Sequence, residues 1–296
     1  SKLSDESAAG IAARKALGAS QFARLKAVDA SGFGDADRVN YDTLMYVAQS
    51  RERAAKFDFG GNAFGLSPYP VSQLTGVYQS VPDFLDTKHR FENAADADAY
   101  LSRLDAFAVQ IDNNTDRMKH DAGMGIAPPD FILDLTLNQL NALRVAPEQS
   151  LLVTSIARRA KEKGLPDSYA ANSAKIYSDK IAPALDRQIA EAKTLRDRAP
   201  PAAGVWTLKD GEAFYAAALQ ASTTTNMSAD EIHKLGNDQG KEISARIDEI
   251  LKQQGMTKGT LGERVAALYK DPRQIYANTD AGKAEAIAFC NQRLDQ

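Results

Sequence analysis

Cysteine, histidine and tryptophan are nearly absent from this 296-residue sequence. Cys290 stands alone, which excludes an intramolecular disulfide framework and a cysteine-built zinc cluster. The three histidines, His89, His120 and His233, lie far apart. None is followed by the Glu-x-x-His that sets two ligands on one face of a zincin helix. An excess of one charge is also lacking: 36 Lys and Arg face 39 Asp and Glu, for a net charge of -3. That balance supplies no general field for phosphates or anionic lipid, so nucleic acid is not expected as a partner. Long apolar runs are missing as well. Stretches such as "SLLVTSIA" fall far short of the roughly 18 to 20 residues that cross a bilayer, so no transmembrane segment is expected. There is no initiator Met, and "SKLSDESAAG" has no apolar signal core, so a leading segment is expected to have been removed by processing or by design.

What is present is helical spacing. Leu44, Val47, Ala48 and Arg51 trace one face. Leu101, Leu104, Ala108, Ile111, Thr115 and Met118 trace another, in a helix starting near Asp96. From Pro147, suited to a first turn, Leu151, Leu152, Ser155, Ile156 and Arg159 continue the pattern until Gly164. A longer helix is expected from Asp167 to about Arg198, kinked or divided by Pro183, whose ring removes a donor and crowds the preceding turn. "APPAAGVW", residues 199 to 206, is the sharpest break, and a boundary is placed there. Further helices are expected near 210–221, 229–254, 260–269 and 281–294. Each stripe calls for a partner to cover it. The expected fold is all-α, an irregular multi-helix bundle, with no repeat of fixed period.

Two loops have unusual composition. "FDFGGNAFGLSPYP", residues 57 to 70, and "HDAGMGIAPPDF", residues 120 to 131, read as ordered helix connectors, with lining of a binding site as the alternative. Neither has the spacing of a phosphate-binding loop. Paired acids such as Asp96 with Asp98 sit at helix starts, where capping and the helix dipole account for them.

The stretch "ASTTTNMSADEIHKLG", residues 221 to 236, gathers a Glu, a His and three Thr. Ser228 and Glu231 have the spacing of a capping box, and Asp230 and Glu231 complement the helix dipole. Downstream, Ile232, Leu235, Ile243, Ile247, Ile250 and Leu251 form a stripe expected to be buried, with Gly255 as its stop. Thr223 to Thr225 favour extended backbone before the cap, and no base stands nearby in sequence to activate a threonine. Cys290 shares a face with Ile287 and Leu294 and reads as a small buried residue. The histidines read as solvated or hydrogen-bonded surface groups. No catalytic and no metal residue is assigned. Thr224, Thr225, His233 and Met124 are the candidates for lining a cleft.

The run 204–236 also carries a resemblance. Gly204 and Trp206 precede Asp210, Gly211 and Tyr215, then come Thr223 to Thr225, then Ser228, Glu231, Ile232, His233, Leu235 and Gly236. This order resembles the bacterial domain-of-unknown-function family 885. "DADAYLSRLDAF" and "GMGIAPPDF" resemble its upstream helix and connector, while Lys209 stands where Pro is usual. The resemblance implies a mostly helical, zincin-metallopeptidase-like protein of about twice this length, with its zinc-binding helix in the C-terminal half. Residues 1–200 would then be a helical N-terminal domain, and 201–296 a helical segment continuing into a missing catalytic half. It implies no cofactor in this chain, zinc in the full-length parent, and that missing half and a peptide substrate as partners. The implied location is the periplasm or cell envelope, some members being lipoproteins. The alternative is a self-contained helical binding or scaffold module.

Overall fold

Spacings of three and four residues between apolar side chains have one stable outcome, a helix with a buried stripe. The computed structural model describes residues 2–60 and 66–294 and is all-α. Among the described residues there is no strand, only an isolated bridge between Ser72 and Thr75. Residues 61–65, the middle of the aromatic loop, lie outside the described residues.

The chain folds as two compact units, Ser1–Asn226 and Met227–Gln296. In the first, α4 (Ala94–Gly123) runs through the core. Asn93 caps it by accepting from the Asp96 amide at 3.2 Å, so the helix starts just before the residue that sequence suggests. Its face Leu104, Ala108, Ile111, Thr115 and Met118 is buried as the spacing requires. Around it pack α3 (Val77–Asp83), α5 (Asp130–Leu143), α6 (Leu151–Glu162), α7 (Ser168–Ile176) and α8 (Ala182–Arg196). Pro147 occupies a separate single turn, Pro147–Gln149, ahead of α6. Between α7 and α8 the helix continues through a wider, π-type turn, Tyr177–Ile181. Pro183 lies just past it, and the extra residue in that turn absorbs the misfit of a ring with no N–H to donate.

Three further helices lie outside this core cluster, with α2 (Asp35–Ala55) packed against both α1 (Ala8–Lys26) and α9 (Gly211–Thr223). The division into units does not fall at "APPAAGVW". Beyond that break the chain returns to the first unit: Phe214 of α9 stacks on Phe59 and meets Phe57 edge-on, both at 5.2 Å, and the Tyr46 hydroxyl donates to the Gln220 carbonyl at 2.7 Å. The boundary therefore lies at 226/227 rather than 200/201.

The second unit holds α10 (Ala229–Gln253), α11 (Leu261–Leu268) and α12 (Asp280–Leu294). The Ser228–Glu231 capping box is formed in both directions, and Thr260 with Glu263 repeats it on α11. Arg264 bonds the Asp248 carboxylate and the Met256 carbonyl, tying α11 to α10.

Four expectations are corrected. Leu44 and Val47 are exposed, because α2 turns Met45 and Tyr46 inward instead. The α10 stripe is uncovered: Ile243, Ile247 and Ile250 are 57%, 36% and 49% exposed, and Leu251 is its one buried apolar side chain among the described residues. Cys290 is exposed, as are Ile287 and Leu294 on the same face of α12. His89 is buried, held between the Asp96 carbonyl at 2.9 Å and the Arg103 guanidinium at 2.6 Å.

Candidate functional site

Helix α4 ends because Gly125 takes a left-handed backbone angle, φ +82°, that side-chain-bearing residues resist. The Ile126 amide then bonds back to the Asp121 carbonyl at 2.9 Å and the Gly125 amide to Ala122 at 3.0 Å. Ile126 drops into a second apolar cluster with Phe59, Tyr69 and Phe214, against which Met124 packs half-buried. Pro128 and Pro129 follow and cannot donate, which starts α5 without a backbone conflict. The Asp130 amide bonds the Pro200 carbonyl at 3.2 Å, drawing the chain after α8 against this connector.

Two features meet on this connector. The first is polar. Asp121 is 1% exposed and accepts from the Gly60 amide at 2.7 Å, with His120 Nδ1 at 3.0 Å. Arg117 Nε lies 3.0 Å from the same carboxylate without an aligned N–H, so that contact is charge against charge. Burial pushes the Asp121 carboxyl up, and the Gly60 amide, His120 and Arg117 only partly offset it. Asp58 lies 3.6 Å from His120 Nε2 and 3.6 Å from Lys15, so His120 sits between two carboxylates. The cluster clamps the segment before residue 61 onto α4.

The second feature is a cavity of about 250 Å³. Leu195 and Leu208 supply apolar walls, Gly125 and Ala127 the connector side, and Tyr69 and Arg198 the polar groups. Among the described residues no acidic side chain lines it. Burial pushes the Tyr69 phenol up, so it stays protonated as a donor. A shallower, more open depression lies over Gln73, Tyr78 and Gln139, where Tyr78 bonds Gln139 at 2.6 Å and Gln79 bonds Gln139 at 2.7 Å.

The residues singled out from sequence do not converge on either feature. Met124 packs beside the cavity's wall, but its place is in the apolar cluster. Thr224 is exposed at the end of α9 with φ +56°, and Thr225 bonds Thr223 Oγ1 through its hydroxyl at 3.1 Å. His233 is exposed on the first turn of α10, in the other unit. Sequence reasoning missed Tyr69, Arg198 and Asp121. Asp121 and Tyr69 stood in the two loops already flagged as potential linings, whereas nothing local marks Arg198. Among the described residues no three His, Cys, Asp or Glu side chains are placed to hold a metal ion. No described helix is long and apolar enough to cross a membrane.

A family model described as "Bacterial protein of unknown function (DUF885)" matches residues 1–296. The chain belongs to this family. Among curated proteins none matches. A crystal structure described as that of a "putative lipoprotein" from Colwellia psychrerythraea is similar in fold, with a TM-score of 0.86 at 23% identity. The likeness covers 98% of this chain and 51% of that one, so the chain spans about half the length of its solved neighbour. In this DUF885 member the motif residues have structural places. Gly211 lets α9 start against the Val205 carbonyl, which a Cβ would strike. Ser228 and Glu231 are the capping box of α10, and Trp206 and Tyr215 are exposed.

Proposed function

We propose that this chain works as the non-catalytic helical part of a longer, exported metallopeptidase-like protein, where it forms one wall of a peptide-substrate cleft. One observation carries the reading: α10 presents Ile243, Ile247 and Ile250 to solvent on a single stripe. A helix whose apolar face is exposed is built to be covered. The solved neighbour extends over about as much chain again, which supplies an occupant for that face. The neighbour's description as a lipoprotein supports an envelope location. On this reading any zinc and its activating carboxylate belong to the rest of the longer chain.

The test compares this chain with the product of the uninterrupted gene. Amide exchange across Ile243–Leu251 should slow in the longer product, and Ile247→Asp should reverse the protection. Equal exchange in both, or zinc-dependent peptidase activity in the 296-residue chain alone, defeats the proposal. A second reading, a self-contained binding module, is favoured by the first unit, which closes its own core and carries its own cavity. It predicts ligand binding with no gain from added chain.

A further inference from the structure

The cavity on the 120–131 connector has a composition at odds with the acidic surplus of the chain. Tyr69 is 8% exposed, and its hydroxyl has no hydrogen-bond partner among the described residues. That oxygen is not among the fully buried unsatisfied atoms, and Tyr69 is one of the residues that line the cavity. A buried ring with an unused hydroxyl at a cavity wall is a donor held ready, because leaving it unpaired in a dry interior would be unfavourable. Arg198, on the same wall, makes no ion pair among the described residues. The Ala127 amide, on the connector side, also makes no hydrogen bond there. Three residues with unused donors of different kinds thus line one cavity, and among the described residues no lining side chain is a carboxylate. Of the two acids within the connector, Asp121 is held by the Gly60 amide, His120 and Arg117, and Asp130 accepts from the Phe131 amide at 2.7 Å and lies in the field of Arg196, itself paired with Asp134 at 2.6 Å. Leu195 and Leu208 add aliphatic surface, and the hydroxyl of Thr207, which also lines the cavity, is already spent on the Gly204 carbonyl at 2.8 Å.

We infer that this cavity binds the carboxylate end of a short aliphatic ligand, with Arg198 pairing the carboxylate, Tyr69 donating to it, and Leu195 and Leu208 covering the hydrocarbon. A planar guanidinium beside a neutral donor recognises a carboxylate in preference to an amide, because the charge-assisted bonds are the stronger ones. A volume of about 250 Å³ holds a ligand of roughly one amino-acid residue and its flanking groups, not a long chain. Two sources share this chemistry, the free C-terminus of a peptide and a free branched-chain acid. The inference uses only the first unit and is independent of what covers α10.

Calorimetric titration of the 296-residue chain with N-acetyl-leucine and N-acetyl-leucinamide tests it. The acid should bind saturably and about tenfold tighter than the amide, as expected for bonds to a charged group. Arg198→Gln, at an exposed position, should abolish that preference. Tyr69→Phe, which keeps the buried ring, should weaken the acid several-fold with the thermal midpoint retained. In a positive result, tighter binding of N-acetyl-leucine than of 4-methylpentanoate assigns a peptide terminus, and the reverse assigns a free acid. Equal affinity for acid and amide, a preference that survives in Arg198→Gln, or no saturable binding of either ligand overturns the assignment.

Discussion

His89 shows how far a single residue can depart from its sequence reading. Its ring is buried against Phe91 and Tyr100, with the Asp96 carbonyl on Nε2 and Arg103 on Nδ1. A guanidinium can only donate, so Nδ1 is the acceptor and the proton resides on Nε2, leaving the ring neutral. Burial is the main cause that holds its pKa below the ordinary 6.5, with Arg103 and Arg159 adding to it. The unfolded chain therefore takes up a proton that the folded chain refuses. Stability should be whole above about pH 6.5 and should fall as pH drops through the lower folded value. Urea midpoints measured between pH 7.5 and pH 5 should show that decline, and His89→Gln should flatten it. A midpoint independent of pH over this range would contradict the neutral buried ring. Asp121 illustrates the opposite economy: a carboxylate is buried, its pKa rises, and it is retained because Gly60, His120 and Arg117 converge on it.

Among the elements, α9 is the one whose position sequence misjudged most. Its own amphipathicity is weak, and its attachment rests on Phe214 between Phe57 and Phe59 and on the Tyr46–Gln220 bond. Phe214→Ala should cost about 3 to 5 kcal/mol, as for other buried aromatic truncations. The loss should be local in exchange experiments, with faster amide exchange across Gly211–Thr223 and unchanged protection in α4. Uniform loss of protection would mean that the aromatic cluster is continuous with the main core. Capping was legible in advance on α10, because Ser-x-x-Glu encodes both of its hydrogen bonds within four residues. What lies over the α10 stripe was not, since a hydrophobic pattern states that a face wants cover and not whether this chain provides it.

At the scale of the whole molecule, the two units differ in how much they bury. The first holds a continuous core from Val71 to Leu195, while the second buries Leu251, Arg264 and Gly282 among its described residues. Hydrophobic burial is the main favourable term in folding, so the two units should not melt together. Urea unfolding followed by Tyr100-region exchange and by helicity should show the second unit lost first. Limited proteolysis should cut near 226/227 before it cuts near 200. A single coincident transition, or early cleavage in "APPAAGVW", would contradict this division.

Sequence by itself determined the fold class, the limits of α9 to α12 to within about two residues, the stop at Gly164, the stop at Gly255 and both hydrogen bonds of the Ser228–Glu231 cap. These depend on interactions within about four residues along the chain. Tertiary structure alone decided that His89 is buried, that α9 returns to the first unit, and that Ile243, Ile247 and Ile250 stay uncovered. It alone set Tyr69, Ala127 and Arg198 around one cavity. Those three lie on separate segments with no shared period, and the meeting is fixed by the Gly125 turn and by the Asp130–Pro200 bond. Local patterns encode helices because the hydrogen bonds are local; a binding wall joins distant segments, and only packing brings them together.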